Sequence, residues 1–154
     1  MNRMKKNSLL LFLFASFLNV HAQLVDTVIN TGVYKSYFSY SVKQPLYVTY
    51  ALYKGGGNCD RGEEGFSFKA CGINTATSDD YSHTGYDKGH LANAEDFAYD
   101  CVKDELTFCY YNCVPQTVKL NRGIWKTWEQ KVRVLSQSKK LFIIAGAIYS
   151  NKTI

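Results

Sequence analysis

The sequence has 154 residues, 46% of them hydrophobic, and a formal net charge of +5. This length allows one domain with a real hydrophobic core, and the sequence contains no internal repeat or low-complexity tract. The first 22 residues carry three positive charges and no negative ones, so removing them lowers the net charge from +5 to +2. Global charge therefore does not indicate a polyanionic partner, and affinity for nucleic acid would require local clusters of basic residues.

The N-terminus has the three parts of a secretory signal peptide: a basic start, an apolar run at Leu9–Leu18 and a small-residue cleavage site ending at Ala22. The apolar run is short for a bilayer span, and an uncleaved anchor is the alternative interpretation. We therefore predict a signal peptide at residues 1–22, followed by one domain at residues 23–154. The mature protein is expected to be secreted or periplasmic and not bound to a membrane.

The five cysteines all lie in the predicted mature domain. Cysteines of exported proteins usually form disulfides, and no pair here has the Cys-x-x-Cys spacing of a zinc site. An odd count leaves one thiol without a partner in the chain. The sequence does not fix the pairing, and a Cys59–Cys71 bridge that closes one loop is the assignment that we favour.

The first half of the mature chain predicts strands and then a long loop. Leu24–Thr31 is apolar with little periodicity, as in a lead-in segment or an edge strand. Tyr34–Val42 and Pro45–Leu52 alternate aromatic or β-branched residues with small or polar ones, which predicts a β-hairpin. The chain from Lys54 to Tyr86 is rich in Gly, Ser, Thr and Asp, and ordered loops of that length are often functional.

A histidine follows an Asp-Lys-Gly stretch. Gly89 would let the backbone turn sharply and aim His90 out of the turn, where it could exchange a proton near neutral pH. A histidine in a turn is also a common structural residue, so this motif alone does not establish catalysis. The apolar positions in residues 91–98 indicate a short helix. Glu105–Val114 has the Phe, Tyr and Cys content of a strand, which Pro115 would stop.

The last third of the chain predicts one long helix and one strand. In Asn121–Gln137 the apolar residues recur at three- and four-residue steps and so share one helical face. Trp125 and Trp128 belong to that face, which favours a place in the core over a role in base stacking. Leu141–Tyr149 is predicted to be a buried strand.

Three motifs along the chain jointly match one family. They are Asp87-Lys88-Gly89-His90-Leu91-Ala92, then Asn112-x-x-Pro115-Gln116, then Asn121-x-Gly123-x-Trp125-x-x-x-Glu129. In this order they resemble the DNA/RNA non-specific endonucleases of the ββα-metal superfamily, which include enzymes like endonuclease G. The resemblance runs from about Tyr47 to the C-terminus, including the strand that ends at Tyr149. It implies an α+β fold in which a mainly antiparallel sheet carries a ββα-metal element and one long helix.

The resemblance implies a role for each site residue. His90 would be the general base, Asn121 the protein ligand of one hydrated Mg²⁺, and Glu129 a carboxylate that positions metal-bound water. Mg²⁺ keeps several waters, so one Asn oxygen is a credible anchor, with Mn²⁺ or Ca²⁺ as alternative ions. Glu129 follows Asn121 by eight residues and projects from nearly the same helical face. Structural support is expected from Asp87, Gly89, Asn112 and Gln116.

Simpler interpretations exist for the same residues. Asn121 could be a helix N-cap, a position where Asn is favoured. Glu129 could be a solvated partner of Arg133, four residues further on. Asn112 and Gln116 could form hydrogen bonds to a turn at the end of the strand. It is the joint pattern that favours a catalytic site.

The chain departs from the family pattern at its phosphate-binding residues. The family usually has Arg where this chain has Lys88, and a lysine is a point charge that would hold phosphate less rigidly than a guanidinium. Arg61 is the candidate for a second family arginine near the scissile phosphate; an exposed loop charge is the alternative. We predict that Lys88, Arg61 and Arg122 contact nucleic acid, and that Lys88 and Arg61 take part in catalysis.

The family domain normally continues past the strand that ends at Tyr149. We therefore expect its C-terminal part to be missing here, through a fragment, a truncated reading frame or a compact variant, which would leave an unpaired sheet edge. The predicted function is a secreted, metal-dependent endonuclease that cleaves DNA and RNA with little sequence preference. The alternatives are a catalytically impaired nucleic-acid-binding domain and a disulfide-stabilised interaction domain. The sequence does not predict the oligomeric state.

Overall fold

The computed structural model describes residues 24–62 and 65–149. The strands in this part of the chain are β1 (Thr27–Asn30), β2 (Lys35–Ser39), β3 (Gln44–Leu52), β4 (Tyr86–His90), β5 (Cys113–Thr117) and β6 (Leu141–Gly146). The α-helices are α1 (Ser78–Tyr81), α2 (Cys101–Glu105) and α3 (Lys126–Ser136), and a π-helical segment, Leu120–Trp125, runs directly into α3. The predicted signal peptide lies outside the described residues.

A four-stranded antiparallel sheet, in the order β1-β2-β3-β6, forms the base of the fold. β2 and β3 are the predicted hairpin. Tyr37 stacks on Tyr47 across it, with ring centroids 4.2 Å apart, and such cross-strand aromatic pairs stabilise a sheet. β1 is an edge strand, which was one of the two interpretations of Leu24–Thr31. The predicted α+β fold with a mainly antiparallel sheet is confirmed.

β6 lies at the other edge of this sheet. The strand predicted over Leu141–Tyr149 is present as Leu141–Gly146, but the prediction that it is buried is wrong. Residues along β6 alternate between partly buried and exposed, with Phe142 70% and Ile144 67% exposed. Ile143 and Ala145 pack against the core. Because strand side chains alternate between two faces, half of this apolar run meets solvent.

The predicted helix over Asn121–Gln137 is present, but its start is distorted. Leu120–Trp125 is π-helical, and Gly123 has non-helical φ and ψ angles of −111° and −107°. Trp125 packs against the core, whereas Trp128 is 57% exposed. The prediction that both tryptophans are core residues is therefore wrong for Trp128, because the apolar face of the helix extends beyond the surface on which it packs.

A second, two-stranded antiparallel sheet pairs β4 with β5 and places His90 opposite Cys113. His90 therefore ends a strand, and the prediction that it lies in a turn is wrong. Together with the helix that begins at Leu120, these two strands form the predicted ββα element.

The segment between β4 and β5 is helical in short pieces. The helix predicted in residues 91–98 is a 3₁₀ turn, Ala94–Phe97. The predicted strand over Glu105–Val114 is wrong, because that segment forms the end of α2 and two 3₁₀ turns before β5 begins. Asp100 favours this helical start by accepting hydrogen bonds from two backbone N–H groups in the first turn of α2. Pro115 lies within β5, in a sheet that has only edge strands.

Two disulfides join the long loop to this helical segment. They are Cys59–Cys101 and Cys71–Cys109, with Cα atoms 5.3 and 5.7 Å apart. The favoured Cys59–Cys71 bridge is therefore wrong: the backbone N–H of Cys59 bonds to Ala98, which brings Cys59 close to α2 instead. Cys113 is free and buried, so the predicted unpaired thiol is confirmed.

One core connects the larger sheet with the ββα element. Its buried apolar side chains include Phe38, Val48, Leu52, Leu91, Phe97, Tyr111 and Val114. Side chains from β3, β5 and the segment after His90 therefore pack together, which fixes β4 relative to the sheet. No helix in residues 24–62 and 65–149 has the length and apolar character needed to cross a membrane.

Candidate active site

Asp87 connects β4 to the start of the long helix. Its carboxylate accepts hydrogen bonds from Arg122 Nε (2.8 Å), from Arg122 Nη2 (2.7 Å) and from Asn121 Nδ2 (3.0 Å). These bonds, with those of Arg122 contributing most, lower the pKa of Asp87 below its usual range. A carboxylate held in its charged form thus orients two residues of the helix, which is a physical basis for the support predicted from Asp87.

The bond to Asp87 determines how the Asn121 side chain is oriented. The amide NH₂ group must face the carboxylate, so Oδ1 is directed elsewhere, and no described residue donates a hydrogen bond to it. Lys119 and Trp125 occupy the N-cap positions of the two helical segments. The interpretation of Asn121 as a helix cap is therefore wrong, and its carbonyl oxygen is available to a ligand.

A cleft of about 600 Å³ opens beside Asn121. Three further predicted site residues line it: Arg61, Arg122 and Glu129. The lining residues that were not predicted are Asn93, Glu95, Lys126, Gln130 and Arg133. Four basic and two acidic side chains thus line one cleft. Its three arginines are held by carboxylates, and cationic side chains of this kind are the groups that contact a phosphodiester backbone.

Glu129 faces the same cleft as Asn121, as the helical spacing predicted. Burial raises the pKa of Glu129; a hydrogen bond from Asn93 opposes the rise and the charge of Asp96 adds to it. Arg133 forms its ion pair with Asp96, with 3.0 Å between Nε and Oδ1. Among the described residues no ion pair joins Glu129 to Arg133, so the interpretation of Glu129 as a solvated salt-bridge partner of Arg133 is wrong, although the charge of Arg133 does act to lower the pKa of Glu129.

The sequence analysis did not identify Asn93 and Arg133 as site residues. Arg133 Nη2 donates to Asn93 Oδ1 (3.2 Å), and the buried Asp96 that holds Arg133 also accepts from Tyr50 Oη (3.0 Å). Asn93 and Arg133 line the cleft, and Asp96 and Tyr50 support Arg133 from behind. Arg133 follows Glu129 by four residues, and that spacing is the signal by which it could have been found.

His90 does not line the cleft, because it lies on the face of β4 opposite to Asp87. Its ring centroid is 4.6 Å from that of Phe68 and 4.7 Å from that of Phe108, and Nε2 is buried without a hydrogen-bond partner among the described residues. Burial, with a smaller contribution from the charge of Arg61, lowers the pKa of His90 to about 3. The imidazole is therefore neutral at pH 7, which is the form that a general base requires.

Lys88 lies on the same face of β4 as His90 and also does not line the cleft. Its Nζ donates to Ser78 Oγ (2.7 Å) and lies 5.7 Å from the ring centroid of Tyr110. The structure therefore brings Asn121 together with the other cleft residues but places Lys88 on the other side of the strand.

Close packing, and not a turn, explains why residue 89 is a glycine. A Cβ atom at this position would lie 2.3 Å from Gln116 Cδ, so any other residue would require the buried Gln116 side chain to move, and the φ angle is not positive. Asn112 is fully buried, accepts from Ala92 N (2.7 Å), and donates to Ala92 O and Thr107 O (both 2.9 Å). Asn112 thus holds the residues that follow His90, and the Gln116 side chain packs against Gly89 of β4.

Arg61 reaches the cleft from the long loop. Its Nη2 pairs with the carboxylate of Glu95, and its Nε lies 3.4 Å from Asp104 Oδ2. The side chain of Arg61 is 33% exposed and has a carboxylate at each end of the guanidinium. Arg61 is therefore a partly buried ion-pair centre, and the interpretation as an exposed loop charge does not hold.

The donor atoms suit a hard cation with few protein ligands. Asn121 offers one free amide oxygen, and the Glu129 carboxylate faces the same cleft. Across the described ranges, no group of three or more His, Cys, Asp or Glu could hold a metal ion. These residues fit Mg²⁺, which keeps most of its waters, and they do not fit a structural zinc site.

The chain matches the family model of the DNA/RNA non-specific endonucleases over residues 16–154. It is 42% identical over 67 residues to a nuclease of Nostoc sp., a match that covers 43% of this chain and 24% of that protein. It is 32% identical over 79 residues to mitochondrial endonuclease G of Homo sapiens, covering 51% of this chain and 27% of that protein. The matches thus span about a quarter of the length of these curated relatives.

The fold also has a close counterpart among solved structures. A chain in the crystal structure of the EndoG/EndoGI complex superposes with a TM-score of 0.74 and 25% identity, covering 84% of this chain and 56% of that one. The matched family is one of metal-dependent nucleases. Fold, motif order and family model agree. The chain therefore belongs to the DNA/RNA non-specific endonuclease family.

Proposed function

We propose that this chain is an endonuclease that hydrolyses phosphodiester bonds of DNA and RNA with little sequence preference, depends on a divalent metal ion, and acts after export as a secreted or periplasmic protein. The observation that carries the proposal is the orientation of Asn121 by Asp87 in a basic cleft shared with Glu129. Membership of the family supports the same chemistry.

Asn121 would hold Mg²⁺ through Oδ1, and Glu129 would hold the waters of the ion, with Mn²⁺ or Ca²⁺ as alternative ions. When bound, the ion supplies positive charge next to the scissile phosphate and the departing 3′ oxygen. The pKa of Glu129 is raised by burial, so a cation nearby would favour the ionised form of this carboxylate.

His90 accepts the proton of the water that attacks phosphorus in line. Nε2 is enclosed by aromatic side chains, so we assign this step to Nδ1. A pKa of about 3 keeps the imidazole unprotonated but also makes it a weak base. The negative charge of a bound phosphate would raise this pKa, so substrate binding would strengthen the base. The products carry a 5′-phosphate.

Arg61 and Arg122 place positive charge along the cleft and would contact phosphates. Contacts of this kind position the nucleic acid but do not read its bases, which accounts for activity on both DNA and RNA. Lys88 would reach a phosphate from the face of β4 that carries His90.

A catalytically impaired nucleic-acid-binding domain is the second candidate, and the position of Lys88 favours it. The Lys88 ammonium is bonded to Ser78 Oγ and not directed into the cleft. A chain that binds nucleic acid but does not orient the scissile phosphate would retain affinity without turnover.

The test is to incubate the purified chain with plasmid DNA and with RNA, in Mg²⁺ or in chelator. We expect cleavage in Mg²⁺, none in chelator and none with His90→Ala, while His90→Ala still binds DNA. The exposed His83, on another loop, provides the matched control His83→Ala, which should cleave normally. Binding without cleavage by the unaltered chain would favour the second candidate, and cleavage by His90→Ala would remove His90 from the role of base.

A further inference from the structure

We infer that Asp104 is a positioning residue that holds the Arg61 guanidinium at the edge of the cleft, with the Nε end fixed and the Nη2 end directed to substrate. This inference rests on the proposed function, in which Arg61 binds phosphate. Three features support it: the burial of Asp104, the disulfide beside it, and the exposure of Glu95, the other carboxylate that faces Arg61.

Asp104 is buried more completely than an acidic residue normally is. Its side chain is 0% exposed, and neither carboxylate oxygen has a hydrogen-bond partner among the described residues. The cation that faces it is Arg61, with 3.4 Å between Nε and Oδ2. Burial raises the pKa of Asp104 to about 6, Arg61 opposes the rise and Glu95 adds to it. A buried carboxylate is costly without a partner charge, so this position is explained by what it does to Arg61.

The disulfide Cys59–Cys101 joins the two chain segments that carry this pair. Arg61 follows Cys59 by two residues, and Asp104 follows Cys101 by three. The backbone N–H of Cys59 also donates to Ala98 O (3.0 Å). The loop that bears Arg61 is thus held against α2 at the level of Asp104, so the ion pair does not depend on a free loop finding its partner.

The second carboxylate at Arg61 differs from the first. Glu95 is 36% exposed, lines the cleft and pairs with Nη2, whereas Asp104 is buried and faces Nε. A phosphate that enters the cleft can replace Glu95 at Nη2, but it does not meet the fully buried Asp104 that faces Nε. Asp104 therefore stays paired during binding, and Glu95 competes with substrate for the same arginine.

A purely structural role would use the side chain of Asp104 to support α2, and the hydrogen bonds do not show this. Its backbone N–H donates to Asp100 O (2.9 Å) and its carbonyl accepts from Thr107 Oγ1 (2.7 Å). Asp104→Asn preserves both bonds and the side-chain size, and it removes the charge that faces Arg61.

The experiment compares Asp104→Asn with Glu95→Gln, two near-isosteric changes that each remove one negative charge from the same guanidinium. The kcat and KM of the full chain are measured with Mg²⁺ and a duplex oligonucleotide. We expect Asp104→Asn to lower kcat/KM about tenfold or more, and Glu95→Gln to lower KM because the competitor of phosphate is gone. In an Arg61→Ala background, Asp104→Asn should have no further effect. Equal losses with and without Arg61, or wild-type kinetics of Asp104→Asn, would overturn the inference.

A spectroscopic measurement on the unaltered chain does not depend on activity or on the folding of a variant. The ¹⁵N–¹H signal of Arg61 Nε, assigned by its loss in Arg61→Lys, should exchange slowly with solvent. Exchange as fast as that of a free arginine would contradict the ion pair. If the chain cleaves no nucleic acid but this signal is protected, the proposed function fails while the ion pair stands; if the chain cleaves and the signal is unprotected, only the role of Asp104 fails.

Discussion

The two faces of the five-residue strand β4 favour opposite charge states of their side chains. On one face, Asp87 is saturated with hydrogen bonds from Asn121 and Arg122, which stabilise its charge. On the other face, His90 lies between aromatic rings and has a buried nitrogen without a partner, which disfavours its charge. Strand alternation allows this contrast.

The difference shows how a short strand can carry both a fixed anion and a neutral imidazole. The geometry of the polar face depends on individual atoms, because each donor of Asn121 and Arg122 bonds to one oxygen of Asp87. The aromatic face is less directional, and it sets a protonation state through burial. We therefore expect changes on the polar face to act through orientation and changes on the aromatic face to act through pH.

The largest effect is expected from Asp87→Ala. Without the carboxylate, Asn121 loses the partner that orients its amide and Arg122 loses its ion pair, so kcat/KM should fall about a hundredfold. The measurement is plasmid cleavage over a range of Mg²⁺ concentrations, in which the half-maximal concentration should rise. Asp79→Ala, on the exposed face of α1, is the matched control and should cleave normally. An unchanged Mg²⁺ requirement would show that Asp87 does not act through Asn121.

An intermediate effect, confined to low pH, is expected from Phe68→Ala. Exposing His90 should raise its pKa from about 3 toward the ordinary 6.5, so cleavage at pH 5 should fall about tenfold relative to pH 8. NMR titration of the His90 ring protons checks the shift directly. Phe66→Ala removes a ring that contacts Phe108 but not His90, and it should leave the titration in place.

The same burial makes stability depend on pH. The folded pKa of His90 lies below the unfolded value of 6.5, so the unfolded chain binds the proton first as pH falls. The contribution of His90 to the free energy of unfolding is therefore complete above pH 6.5 and is lost as pH falls toward 3. Denaturant titrations should show a smaller loss over this window in Phe68→Ala than in the unaltered chain. Equal losses would mean that Phe68 does not control the pKa.

The smallest effect is expected from Lys88→Arg. A guanidinium offers two parallel donors to phosphate where an ammonium offers a point charge, so turnover on DNA should rise about two- to threefold. Lys139→Arg, at an exposed position away from β4, controls for a general effect of arginine. Unchanged or lower turnover would contradict the hypothesis that Lys88 limits the rate of DNA cleavage.

The parts of the fold that follow from local periodicity could be predicted from the sequence. The β2–β3 hairpin and the long helix have regular spacing of apolar side chains, and that spacing also placed Asn121 and Glu129 in one cleft. The failures depend on contacts distant in sequence. Glu105–Val114 has strand composition, yet the Asp100 cap and the bridge to Cys71 hold it in helical turns.

Within the site, it was easier to predict which residues matter than to predict where their side chains point. The motif identified His90 and Lys88, but a strand in place of a turn puts both on the face of β4 opposite to Asp87, and neither lines the cleft. The sequence predicted a turn at Gly89, whereas the structure shows that Gln116 packs closely against it. This contact can be seen only once β5 is paired with β4. Arg133 and Asp104 act through partners that no local motif connects to them.

The reactivity of the free Cys113 thiol can be used to measure local opening in this region. It sits directly across the β4–β5 ladder from His90, is fully buried, and has a pKa that burial raises to about 12. Its side chain is buried in a cluster with Tyr81 and Tyr110, so a thiolate-specific reagent can modify it only after this cluster opens. Its alkylation rate therefore reports how often the packing beside His90 opens, in a chain whose other four cysteines form disulfides.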